Sequence, residues 1–251
     1  MNPMYGTKRK ETKRGPPHNI ESSMDRGRRS LPEAEPARPR PRIESLSDLV
    51  FGLALSIGAF ALVSSPPMDD AGFYRDVLTF GFNFAVLISI WIRYTRIMSA
   101  LPVETRRTMT LNAILLFTVS LEPFIFNILR SGNSSSHLSP SLVEAASSSF
   151  GIDVGAMMLI MGVFTLALAD EEKRLVPSEM LGRLRSEAEI WFTSAGIFLV
   201  SAVPLFGRVP IGPVPLNGLS VREFMWAAAL AVSWVRGRVL ELQSSATTAF
   251  L

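Results

Sequence analysis

Long apolar runs constrain the fold of this chain more than any other feature of its sequence. Six such runs occur, and each is close to the roughly 20 residues that an α-helix needs to cross the hydrocarbon core of a bilayer. They cover residues 45–64, 77–95, 109–129, 150–169, 188–206 and 222–240. The sequence therefore predicts an all-α integral membrane protein with six transmembrane helices per subunit.

The remaining segments divide the chain into three parts. Residues 1–41 are rich in Pro, Arg, Lys, Ser and Glu, and such a composition buries too little apolar surface to offset the entropy lost on ordering. We expect a disordered, basic cytoplasmic tail there, followed by a six-helix transmembrane domain over 42–240 and a short cytoplasmic C-terminal tail over 241–251. The Ser-rich segment 131–149 is expected to form an outer loop.

The basic residues are distributed asymmetrically. Of the 25 Lys and Arg residues, 21 fall on the side of the six-span topology that carries both termini. Since cytoplasmic segments of membrane proteins are enriched in Lys and Arg, both termini are predicted to be cytoplasmic, in a multi-pass protein of the cell membrane. This distribution indicates contact with membrane lipids, and we expect no nucleic-acid partner despite the sequence pI of about 9.6.

The composition also limits the chemistry. The chain has no Cys, which excludes thiolate catalysis and Cys-ligated metal sites. The two histidines, His18 and His137, lie outside the apolar runs. We therefore expect no enzyme activity, no catalytic residues, no metal site and no cofactor.

Two carboxylates fall inside predicted spans, Glu122 in the third and Asp153 in the fourth. An ionisable group inside a membrane is costly and is a functional candidate by default. The pair could serve as relay groups in an ion- or proton-coupled secondary transporter. Alternatively, Glu122 lies near the outer interface and is solvated there.

The first span carries a mostly apolar stripe. At about 100° per residue, Leu49, Leu53, Ser56 and Phe60 share one face of a helix, and Asp48 lies on another. Asp48 is expected to find a partner on a neighbouring helix, for which Arg93 or Arg96 on the second span is a candidate. An apolar stripe on a membrane helix usually faces lipid or other helices, so the residues alone leave its role open.

Three motifs in the first half of the chain resemble the TMEM175 family of potassium channels. Arg42-x-x-x-Leu46-Ser47-Asp48 is similar to the R-x-x-x-F-S-D signature that opens the first helix, with Leu46 in place of Phe. The segment from Trp91 to Arg96 is similar to the W-x-x-H-x-R element, with Tyr where the family has His. Leu121-Glu122-Pro123-Phe124 is similar to the L-P-F ending of the third helix.

The resemblance implies a homotetramer in which the first helix of each subunit lines a central pore. It implies a leak-like, potassium-permeable cation channel whose constriction is apolar; the chain has no T-V-G-Y-G carbonyl filter. Other monovalent cations could also permeate. On this basis the pore residues are Leu53 as the apolar ring, Ser56 as a hydroxyl ring, Phe60 as a further constriction, and Leu49. The helix-1 polar network would comprise Arg42, Ser47 and Asp48, with Arg93, Arg96, Tyr94 and Glu122 as candidate polar partners.

Overall fold

The computed structural model describes residues 42–64, 69–101, 105–134, 138–171, 175–209 and 220–249, and every element in these ranges is a helix. Six helices are long and one is short. They are α1 (Arg42–Ser64), α2 (Asp70–Ala100), α3 (Arg106–Ser134), α4 (Pro140–Leu168), α5 (Ser178–Ser201), α6 (Pro204–Arg208) and α7 (Val221–Ala249). The predicted disordered tail over 1–41 lies outside the described residues.

Each of the six long helices overlaps one of the six predicted spans, but α5 begins at Ser178 and ends at Ser201, earlier at both ends than the predicted span 188–206. By length and composition alone, four of them could cross a membrane, namely α1 to α4. A stretch of 18 residues was counted as a possible span only if it holds at most two charged residues. Every such stretch of α5 holds at least three, namely Arg185, Glu187 and Glu189. The chain is therefore a multi-pass membrane protein, and four of its described helices, α1 to α4, are long and apolar enough to span a membrane.

Two local signals set the starts of α2 and α4. The Asp69 side chain accepts a hydrogen bond of 2.7 Å from the Gly72 amide at the start of α2. At the start of α4, Ser139 accepts from the Leu142 amide at 3.3 Å, and Pro140 follows at the first helical position. Such side-chain caps satisfy backbone amides that have no partner within the helix.

The expected outer loop over 131–149 is wrong at both ends, because α3 continues to Ser134 and α4 already begins at Pro140. The Ser-rich composition of this segment predicts that it is polar. A polar segment outside the hydrocarbon can be the end of a helix as well as a loop. Helix α7 is likewise longer than the predicted sixth span and continues to Ala249.

Helix α4 forms the centre of the subunit. The most apolar stretch of α4 is 67% buried, whereas the corresponding stretches of α1 and α2 are each 28% buried. The buried core around it includes Phe150, Met157 and Phe164 from α4, with Phe198 from α5 and Trp226 from α7. Helix α1 therefore lies at the edge of the subunit.

Glycines allow α4 to approach α5 closely. A Cβ atom at Gly155 would lie 2.8 Å from Cγ of Leu199, and one at Gly151 would lie 3.0 Å from the carbonyl oxygen of Phe198. Gly162 lies similarly close to the ring of Phe192. The spacing of Gly151 and Gly155, typical of close helix packing in membranes, thus falls on the face that meets α5.

Candidate functional site

Helix α1 has one face toward its own subunit and one face away from it. Ser47, Phe51, Ala54, Gly58 and Ala61 are buried against α2 and α3. These residues recur every three or four positions, so they form one stripe on the helix. This stripe fixes the rotation of α1 about its axis.

The predicted pore-lining residues all lie on the opposite, outward face. Leu49, Leu53 and Phe60 are 66%, 56% and 69% exposed, and Ser56 is exposed as well. A long apolar face left uncovered within one subunit requires another apolar partner, either lipid or a second protein surface.

The exposed face follows a seven-residue repeat. Exposed residues stand at 46, 53 and 60 and again at 49, 56 and 63, and all are apolar except Ser56. Apolar residues at these alternating intervals of three and four are typical of helices that pack in parallel against copies of themselves. The repeat spans almost the full length of α1, from Leu46 to Val63.

Ser56 is the one polar side chain of this repeat. Its hydroxyl donates to the carbonyl oxygen of Gly52 at 2.7 Å, one turn earlier in the same helix. Because the proton is used within the helix, the oxygen lone pairs of Ser56 remain as acceptors on the exposed face.

A buried chain of hydrogen bonds joins α1, α2 and α3. The hydroxyl oxygens of Ser47 and Tyr94 lie 2.6 Å apart, and the Tyr94 hydroxyl donates to Oδ1 of Asn112 at 2.7 Å. The ring of Tyr94 also packs against Phe51, with ring centroids 5.8 Å apart. Tyr94 thus connects the first three helices, and Asn112 is a network residue to which the sequence analysis assigned no role.

The partner of Asp48 differs from the expected arginines. Oδ1 of Asp48 accepts a hydrogen bond of 2.9 Å from the indole nitrogen of Trp91. Arg93 is paired with Glu187 on α5, and Arg96 is exposed on the next turn of α2. The arginines were expected because an ion pair offsets the cost of a charge near the membrane, but a neutral indole N–H donates to the Asp48 carboxylate instead. The side chain of Arg42 lies outside the described side chains.

Glu122 is fully buried, so the interpretation that it is solvated at the outer interface is wrong. It lies within interaction range of Asn83 on α2 and of Asp153 on α4. No hydrogen bond of ordinary geometry reaches either carboxylate oxygen of Glu122 or Oδ2 of Asp153. Two carboxyl groups therefore lie together in the interior of the subunit, on α3 and α4.

Two ion pairs tie the helices together at the opposite end of α2 from Tyr94; the first is buried on both sides, and the second has a buried arginine and a partly exposed carboxylate. Arg130 on α3 donates to Asp76 on α2 at 3.1 Å. Arg222 on α7 is fully buried and donates to Glu144 on α4 at 2.7 Å. Both arginines belong to the four basic residues on the side opposite the termini in the predicted topology, and each stands within or next to an apolar run.

Within the described ranges, no group of three or more His, Asp or Glu residues is arranged to hold a metal ion. The arrangement that stands out is instead a helix with an uncovered heptad face, held in a fixed rotation by a buried polar network. Such a helix can form one wall of an axial passage between several copies of a chain.

Comparison with known proteins supports the resemblance read from the motifs. Residues 42–123 match the family model described as the endosomal/lysosomal potassium channel TMEM175. This range holds the first two motifs, the third as far as Pro123, and the whole of the Ser47–Tyr94–Asn112 network. The curated proteins contain no match to this chain.

Two solved structures are similar to this fold. A single-site variant of the potassium channel MtTMEM175, crystallised with a nanobody–MBP fusion protein, is 18% identical with a TM-score of 0.54, covering 81% of this chain and 94% of that one. The crystal structure of a lysosomal potassium-selective channel TMEM175 homolog from Chamaesiphon minutus is 16% identical with a TM-score of 0.49, covering 81% of this chain and 96% of that one.

Proposed function

We propose that this chain, whose residues 42–123 match the TMEM175 family model, belongs to that family and forms a potassium-permeable cation channel. The observation that carries the proposal is the exposed heptad face of α1, which includes Leu49, Leu53, Ser56 and Phe60. The MtTMEM175 variant, whose fold is similar, is described as a potassium channel.

The face of α1 fits a pore made by copies of the chain. Four copies related by a closed rotational axis would bring four α1 helices together, with each repeat position forming a ring. Leu53 would form the apolar constriction, and Phe60 would form a second one nearer the C-terminal end of α1. Leu49 would line the passage on the N-terminal side of Leu53. A narrow apolar ring excludes water, so the width of the Leu53 ring would control conduction.

Ser56 supplies the polar ring of the same passage. Its proton is bonded to Gly52 in the same helix, at 2.7 Å between oxygens, so its lone pairs would face the axis and could replace water around a permeating cation. This arrangement would give a potassium preference without a backbone carbonyl filter.

The polar network would act on the pore through helix position. Ser47 and Asp48 contact Tyr94 and Trp91 on α2, on the face of α1 away from the heptad. These residues would therefore hold the rotation of α1 and would not coordinate ions. Arg93, through Glu187, would brace α2 against α5 in the same way.

The assembly and orientation follow from the same proposal. We expect a homotetramer in the cell membrane, with both termini cytoplasmic because the basic residues cluster on that side. Membrane lipids would cover the apolar faces that remain outside the assembly.

The transporter alternative is less well supported. Glu122 and Asp153 are close enough to interact, but both are buried on the interior side of the bundle and away from the exposed face of α1. A relay would need a path to water on each side.

The chain has no native cysteine, so a cysteine introduced by mutation is the only thiol that a labelling reagent can modify. A single cysteine at Ser56 (Ser56→Cys) is reconstituted in liposomes, and potassium efflux is followed before and after a positively charged methanethiosulfonate reagent is added. If Ser56 lines the pore, the modified protein no longer conducts, and potassium efflux falls in proportion to the fraction of protein that is labelled.

The matched control is Leu78→Cys on α2, which is exposed at 72% but lies on another helix. Its modification should leave efflux unchanged. Oxidative cross-linking of Ser56→Cys should also give disulfide-linked dimers, because equivalent α1 helices would be neighbours. Equal effects at both positions, or no flux in either protein, would contradict the proposal.

A further inference from the structure

A cleft runs along the basic end of the subunit and is lined by α2, α4, α5 and α7. Its volume is about 800 Å³, within the range of roughly 300–1,000 Å³ that is common for ligand sites. The lining on α2 extends from Ala85 to Ala100, which corresponds to roughly 22 Å along the helix axis. The cleft is thus long and lies parallel to the helices.

One end of the cleft carries a net positive charge. Arg93, Arg96, Arg183 and Glu187 all line it. Arg93 is paired with Glu187, so the positive balance comes from Arg96 and Arg183, both of which are exposed. An anionic group is the complement to this end.

The rest of the cleft is mainly apolar. Ile90 on α2, Met158 on α4 and Leu230 on α7 contribute to the walls. Trp191 is buried at its floor, while Trp234 is 66% exposed at its edge. Exposed tryptophan is typical of the depth where headgroups meet acyl chains.

We propose that this cleft binds an anionic phospholipid from the leaflet on the side of the termini. The phosphate would lie between Arg96 and Arg183, and an acyl chain would follow the apolar wall of α2. Basic pockets between membrane helices suit anionic headgroups, and a small soluble anion would leave the apolar length unused. This site is separate from the α1 face, so it stands whether or not the chain conducts ions.

Native mass spectrometry of the purified oligomer tests the site, with phosphatidylglycerol and phosphatidylcholine supplied at equal concentrations. The wild type should retain phosphatidylglycerol preferentially. The double variant Arg96→Gln/Arg183→Gln should reduce this preference by about fivefold for each arginine removed, since a basic group at the membrane surface contributes about 1 kcal/mol.

The matched control is Arg106→Gln/Arg107→Gln, which removes two exposed arginines from the start of α3 outside the cleft. It should leave the preference intact. A second variant, Ala231→Trp, fills the cleft from α7 and should lower lipid retention while every arginine remains.

Equal loss in both double variants would assign the preference to general surface charge and would overturn the proposal. Lipid retention that is unchanged by Ala231→Trp would do the same. An oligomer that retains no phosphatidylglycerol and dissociates on Ala231→Trp would identify a second copy of the chain as the occupant.

Discussion

Tyr94 on α2 and Ser47 on α1 share a hydrogen bond of 2.6 Å between hydroxyl oxygens that are both fully buried. The phenol has a single proton and gives it to Asn112, so Ser47 is the donor in this pair. Tyr94 therefore accepts from α1 and donates to α3, and its hydroxyl joins three helices.

Replacing Tyr94 with Phe should destabilise the subunit by about 1–3 kcal/mol, because the buried hydroxyl of Ser47 and the amide of Asn112 would each lose a partner. The midpoint of thermal unfolding in detergent should fall accordingly. The control is Tyr74→Phe, at a residue that is 65% exposed. Equal midpoints for the two variants would show that the network does not hold α1 in place.

Removing Arg222 should have a larger effect. Its guanidinium is fully buried and donates to Glu144, to the Ser201 carbonyl at 2.8 Å and to the Val203 carbonyl at 3.2 Å. Breaking a buried ion pair from one side commonly costs about 3–5 kcal/mol. Arg222→Gln should therefore lose its sharp oligomer peak in size-exclusion chromatography at a temperature that the wild type survives.

Arg236 provides the comparison for Arg222. It lies on the same helix and is exposed, so Arg236→Gln should elute like the wild type after the same heating. A heated Arg222→Gln sample that also elutes like the wild type would mean that the ion pair contributes little to the bundle.

Part of this architecture could be read from the sequence, and the reason is periodicity. Leu49, Leu53, Ser56 and Phe60 fall on one face from their spacing alone, and the structure leaves that face exposed. The glycines at 151 and 155 likewise indicated a close helix contact, which α5 makes.

Long-range partners could not be read in the same way. Ser47 and Tyr94 are 47 positions apart, and Asp48 contacts Trp91 in preference to either nearby arginine. Periodicity gives the face of a residue but not the helix that covers it. The depth of Glu122 was left open for the same reason, since it depends on α2 and α4.

Glu122 and Asp153 distinguish a channel from a proton-coupled carrier. In the channel account neither carboxyl group takes part in permeation, so Glu122→Gln and Asp153→Asn should each leave potassium efflux from liposomes within about twofold of the wild type. Glu171→Gln, at an exposed carboxylate, provides the baseline for losing one negative charge.

A proton gradient imposed across the same liposomes should not drive potassium uptake by the wild type. Gradient-driven uptake that disappears in Glu122→Gln, with the oligomer intact, would instead favour the transporter.

The most direct measurement is the reversal potential of the purified oligomer in planar bilayers under a potassium–sodium gradient. The current of the wild type should reverse at a voltage close to the potassium equilibrium potential. Leu53→Ala should raise conductance and move the reversal potential toward zero, because a smaller side chain widens the apolar ring.

Leu78→Ala on α2, a leucine that is 72% exposed in the subunit but lies outside the heptad face, should behave like the wild type in the same bilayers. If Leu53→Ala and Leu78→Ala give the same current and the same reversal potential, or if an intact oligomer carries no current, then α1 does not line a pore.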